Sequence, residues 1–74
     1  MNYYGVIYFR RDENGIEKPN GKAYCFKSEE EFKIGDIVEL PFHKKGFVGG
    51  APVGEIPEED KIKSIIGKWI ADYE

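Results

Sequence analysis

The chain has one cysteine, one histidine and one tryptophan in 74 residues. A lone Cys25 excludes an internal disulfide, and with His43 as the only histidine no cysteine-histidine set has zinc-ligand spacing. No serine or cysteine nucleophile has a second histidine or an evident base to activate it, and His43 sits in a polar turn. The lysine and hydroxyl that must follow the last glycine of a P-loop are missing after Gly46, Gly49 and Gly50. The carboxylates Glu29–Glu31 and Glu58–Asp60 are consecutive and so point in different directions, which suits helix starts better than an acid-base pair. These absences argue against an enzyme and imply no metal and no cofactor. No stretch reaches the roughly 18 apolar residues that span a bilayer. The opening MNYYGVIYFRRDENG has no basic segment before its apolar run. A cytoplasmic protein in a reducing compartment, with no membrane partner, is expected.

What is present is aromatic and finely mixed in charge. Hydrophobic residues make up 41% and aromatics 15%, enough to offset the ordering entropy that keeps polar chains disordered. A chain this short buries only about 60% of its unfolded surface, so residues 1–74 form a single small domain with one thin core. The net charge of −3 conceals segregation. Residues 1–27 carry five Lys/Arg against three Asp/Glu, and residues 32–54 three against two, whereas SEEE (28–31) and residues 55–74 are acidic. The basic remainder permits a nucleic-acid surface without demanding one, since strong electrostatic binders are usually basic throughout.

Along the chain, Tyr3–Phe9 is apolar on both alternating faces and reads as a strand covered on both sides. Asp12-Glu13-Asn14-Gly15 and Pro19-Asn20-Gly21 are successive turn signals, which predicts a long exposed hairpin loop between them. Lys22–Lys27 reads as a second strand, with Tyr24 and Phe26 on one face and Ala23 and Cys25 on the other. Ser28 and Glu31 have capping-box spacing, predicting a single helical turn before Phe32. Gly35-Asp36 marks a tight turn into a strand from Ile37 to Phe42, with Val38, Leu40 and Phe42 on one face and Pro41 at its end or at an edge. His43-Lys44-Lys45-Gly46 then reads as a hairpin tip, and Phe47-Val48 as the returning strand. Gly49-Gly50 marks a bulge or a close backbone approach, with the strand resuming over Val53–Ile56. In the tail, Ile62, Ile65, Ile66, Trp69, Ile70 and Tyr73 form one stripe of a helix, opposed by Gly67 and the β-branched run. A strand over Lys63–Ile66 closing a barrel, followed by a short helix from Lys68, reconciles the two. The predicted fold class is mainly β, a five-stranded SH3-like or OB-like barrel with a short helical turn and a short C-terminal helix.

Two segments carry a family resemblance. IGDIVELPFHKKGFVGG resembles the N-terminal 3′-DNA-end-binding domain of the primosomal replication-restart helicases (PriA), which carry a vGd-V-VPF segment, a basic hairpin tip and a following V-G. IKSIIGKWIADYE is similar to the end of that domain, a K-I strand followed by a helix with a W-x-A-D-Y motif. The resemblance covers residues 34–50 and 62–73 and implies a DNA-binding barrel. The family's aspartate in an F-D-Y strand, which helps hold the DNA 3′ end, falls near Cys25 in AYCF, so that contact is not carried over. The chain also resembles small bacterial and phage proteins that look like a lone barrel with the G-D-x-V-x-x-P turn.

Two binding functions remain open. In one, exposed tyrosines (Tyr3, Tyr4, Tyr8, Tyr24) stack on bases while Arg10, Arg11, Lys44 and Lys45 meet the phosphates of single-stranded or branched DNA. The alternative place for those rings is the core. In the other, the barrel binds a protein, through an aromatic groove or as a small acidic phage-type inhibitor of a nucleic-acid enzyme. If the stripe Ile62, Ile66, Trp69, Tyr73 is unburied, it becomes an interface for another chain and a homodimer is expected.

Overall fold

The computed structural model describes residues 1–52, 54 and 56–70. Its strands are β1 (Asn2–Arg11), β2 (Glu17–Ser28), β3 (Ile37–Leu40), β4 (Lys44–Val48), β5 (Lys63–Ser64) and β6 (Gly67–Lys68), with one 3-10 turn at Glu59–Lys61. They form one curled sheet in the order β5-β2-β1-β4-β3-β6, a barrel-like arrangement as the alternating sequence implied. The tail draws the two sides of this sheet together. β5 pairs in parallel with β2, and β6 pairs antiparallel with β3. Between them the consecutive amides of Ile65 and Ile66 donate to Lys27 O and Glu39 O, each at 2.8 Å.

Alternation sorts the side chains. Val6, Phe26, Val38, Leu40, Val48 and Ile65 form the core on the concave face, with Tyr4, Tyr8 and Phe32 packed around it. Ile62 is also buried. The other face of β1 (Tyr3, Ile7, Phe9) is only half-buried, so the strand is covered more on one side than both. Gly46 is required by this packing. A Cβ there would lie 2.5 Å from Val6 Cγ1 and 2.7 Å from Leu40 Cδ1, so β4 can cross the core at this distance only without a side chain. The Gly49-Gly50 reading also holds: Gly5 N–H donates to Gly50 O and Gly49 N–H to Gly5 O, both at 2.8 Å.

Other turns differ from expectation. Asp12-Glu13-Asn14-Gly15 does form the β1–β2 turn, with Asp12 Oδ1 accepting from Asn14 N–H and Ile16 N–H at 2.9 Å each. Pro19-Asn20-Gly21 is not a second turn but a bulge inside β2. Tyr8 faces three residues, 20–22, where the register passes from Ile7↔Ala23 to Phe9↔Pro19. The missing N–H of Pro19 and the left-handed Gly21 (φ 105°) are absorbed there without ending the strand. Ser28 opens no helical turn; its Oγ instead accepts from Glu30 N–H at 3.0 Å within an irregular bend. The Gly35 turn is present, with Asp36 N–H donating to Lys33 O at 2.9 Å and Gly35 at φ 98°.

The β3–β4 tip also moves. It is Pro41-Phe42-His43, between the pair Leu40↔Lys44, so Lys44, Lys45 and Gly46 belong to β4. Phe42 leaves the Val38/Leu40 row and is 85% exposed. Phe42 and His43 both take left-handed backbone (φ 67° and 56°), a strain of about 1–3 kcal/mol per residue for side chains that lack glycine's freedom. In the tail, the pairing of Lys63–Ser64 bears out a closing strand. No helix begins at Lys68, which lies in β6, and Trp69 N–H still donates to Ile37 O at 2.9 Å. The sheet thereby overrides the helical period. Of the expected strand 53–56, Val53 and Glu55 lie outside the described residues, and Gly54 and Ile56 are not in strand.

Gly46→Ala tests the crossing. Overpacking against Val6 and Leu40 is expected to destabilise by about 1–3 kcal/mol, read as a lower urea midpoint at unchanged m-value.

Candidate nucleic-acid interface

The row of concave side chains does not stop where the core ends. In β1, Tyr8 and Arg10 follow Val6 on the same face, and in β2 Tyr24 follows Phe26. Tyr8 meets Tyr24 edge-on at 5.7 Å and Phe26 at 6.1 Å, so one ring passes from core to surface. Two adjoining open hollows share Tyr8, Arg10 and Lys63 at this mouth. One extends to Phe42, Pro41 and Lys44; the other to Tyr24, Cys25 and Lys61.

Local structure aims these groups. The β2 bulge brings Asn20 O to 3.2 Å from Arg10 Nε, which donates to it and holds the guanidinium over the mouth. Lys22 Nζ stands 5.3 Å above the Tyr24 ring and Lys63 Nζ 6.0 Å above Phe42. Lys61 and Lys63 are set by the 3-10 turn. Its Glu59 accepts from Tyr3 Oη and, at 2.9 Å, from Lys27 Nζ, clamping the turn to β1 and β2. The Tyr3 hydrogen bond, then Lys27, holds the Glu59 carboxyl below the usual carboxylate range, and the same bond raises the Tyr3 phenol. Among the described residues, Arg10, Lys44, Lys61 and Lys63 make no ion pair, so the mouth carries uncompensated positive charge although the chain is acidic.

The sequence candidates divide between two faces. Tyr8, Arg10, Tyr24 and Lys44 come together at the mouth. Lys45 does not: its Nζ lies 3.0 Å from Glu17 Oε1 and is stacked between Phe9 (4.8 Å) and Trp69 (5.6 Å) on the outer face. Arg11, one step from Arg10, is on that outer side and pairs in register with Glu17. Tyr4 is held by the chain itself, accepting from Phe32 N–H at 2.9 Å, and Tyr3 by Glu59. Ile62 is 5% exposed and belongs to the core, so it is no interface residue. Ile66 is exposed, and Trp69 is half-buried against the His43 ring at 5.1 Å. Tyr73 lies outside the described residues. The single apolar stripe thus dissolves, because strand pairing sends Ile65 inward and Ile66 outward.

Sequence reasoning missed Lys61, Lys63 and Phe42. The alternation of Lys61, Ile62 and Lys63 was a usable signal for the lysines once Ile62 was placed inside. For Phe42 there was none, since a left-handed phenylalanine is not anticipated from its type.

Internal chemistry is sparse. Among the described residues no buried side-chain nitrogen or oxygen lacks a hydrogen-bond partner, and no group of acids, histidine and cysteine is arranged to hold a metal. Burial, then the Glu59 charge, pushes the Cys25 thiol up, which leaves it a poor nucleophile. Among the described residues no helix is long and apolar enough to cross a membrane. No family model, curated protein or solved structure matches the chain.

The Glu59 clamp predicts a pH dependence. Its contribution is complete at neutral pH and drains as pH falls below the ordinary carboxylate range and through the lowered folded-state value. Urea midpoints of wild type and Glu59→Gln, measured from pH 7 to pH 3, should converge on the acid side; a gap that stays constant would show that the clamp does not act through ionisation.

Proposed function

We propose that the protein is a non-enzymatic module that binds single-stranded DNA, or single-stranded segments of branched DNA, across the concave mouth. One observation carries this reading: Arg10, Lys44, Lys61 and Lys63, which make no ion pair among the described residues, surround half-buried Tyr8 and exposed Tyr24 and Phe42 in two adjoining hollows that share Tyr8, Arg10 and Lys63. Cations around a hollow can meet a phosphate backbone, and rings offer faces to unstacked bases without reading their sequence. The acidic total does not oppose it. The exposed run Glu29–Glu31 follows the end of β2 that pairs with Asn2, whereas the mouth lies toward the opposite end of β1. Local rather than net charge governs contact within a Debye length of about 8–10 Å. The resemblance of IGDIVELPFHKKGFVGG to a DNA-end-binding barrel supports the same class of ligand.

A second reading, a protein-docking module or inhibitor of a nucleic-acid enzyme, draws on those same glutamates, whose side chains make no ion pair among the described residues. The two readings place the working charges at opposite ends.

Fluorescence anisotropy with a labelled oligothymidine at several salt concentrations separates them. With four phosphate contacts, log K should fall against log salt with a slope of about −3, and Lys44→Glu with Lys63→Glu should flatten the slope as well as weaken binding. Arg11→Glu on the outer face should change affinity little. Absence of binding at low salt would remove the DNA reading.

A further inference from the structure

Phe42 combines three features that its place in the fold does not explain. It is an apolar ring 85% exposed, so it contributes nothing to the core. It occupies left-handed backbone at φ 67°, followed by His43 at φ 56°, in a tip that glycine or asparagine would form without strain. And it stands beyond the last β3–β4 pair, Leu40↔Lys44, on the rim of the cationic mouth, with Lys63 Nζ 6.0 Å from its ring. Strain that neither packing nor turn chemistry requires is a signature of a residue kept for contact with something else.

We infer that Phe42 is a stacking platform for one unpaired base of a single-stranded nucleic acid. The inference rests on the binding reading proposed above and assigns its selectivity. The base lies on the phenyl face, and Lys44 and Lys63, both lining the same hollow, hold the flanking phosphates. A duplex keeps its bases stacked on one another and offers no free face, so the ring selects single strands. The bound base need not be a terminal one, because Phe42 projects from a rim rather than closing a pocket. Arg10 and Lys44 bind duplex and single strand alike through charge; the ring supplies the difference.

The test uses the full chain with a labelled 15-mer oligothymidine and a hairpin duplex of equal charge. Phe42→Asn, which keeps a left-handed backbone and removes the ring, should weaken single-strand binding about 5- to 150-fold, the usual loss for one stacked base, with Tm unchanged or higher. Phe42→Trp should retain affinity, and its added indole emission should be quenched on saturation. If Phe42→Asn binds within twofold of wild type, or the wild type binds duplex as tightly as single strand, the stacking role is overturned. A lower Tm for Phe42→Asn overturns it too, since the ring then serves the fold. These failures leave the cationic mouth standing wherever Lys44→Glu with Lys63→Glu still abolishes binding. No wild-type binding at low salt ends both.

Discussion

Two neighbouring amides hold this molecule together. Ile65 N–H reaches β2 and Ile66 N–H reaches β3, strands that stand at opposite sides of the four-strand core of the sheet. A curled sheet of this size would otherwise expose its concave face, since the described residues form one sheet with no second layer over it. The crossing solves both problems at once, because the backbone that ties the sides also delivers Ile62 and Ile65 to the interior. Everything at the mouth depends on it: Lys61 and Lys63 flank the buried Ile62, and the Glu59 clamp fixes the angle at which they arrive.

Much of this was legible in the residues. Alternation in Tyr3–Phe9 and Lys22–Lys27, the Gly35-Asp36 turn and the paired glycines at 49–50 each specify local geometry, and at these positions it was found where it was expected, unlike the helical turn at Ser28 and the hairpin tip at His43–Gly46. The failures at Pro19-Asn20-Gly21 and in the tail share a cause. Pro19-Asn20-Gly21 is a turn by its chemistry and a bulge by its context, since β1 holds β2 in register on both sides of it. The tail has the period of a helix, but hydrogen bonds that its amides donate to two distant strands outweigh a period interrupted by Gly67. Long-range pairing leaves no mark within a short window of sequence.

The mouth was half legible for the same reason. Residue types nominated Tyr8, Arg10, Tyr24 and Lys44 as well as Arg11 and Lys45, and only register could divide them, since adjacent residues in a strand face opposite ways. Lys45 illustrates the difference between a charge and an available charge. Stacked on Phe9 and Trp69 and paired with Glu17, it braces the outer wall, whereas its neighbour Lys44 lines the rim with no ion pair among the described residues.

The bulge in β2 has a consequence for how the molecule behaves in company. Among the described residues, β5 pairs with β2 only at Phe26 and Lys27, so the outer side of the long hairpin from Glu17 to Ala23 is an uncapped strand edge. Bare edges invite other copies to add strands and begin aggregates. Here Pro19 removes a donor, the extra residues break the ladder's regular spacing, and Glu17, Lys18 and Lys22 set charge along the border. The same irregularity that steers Arg10 toward the mouth therefore protects the hairpin from templating a neighbour.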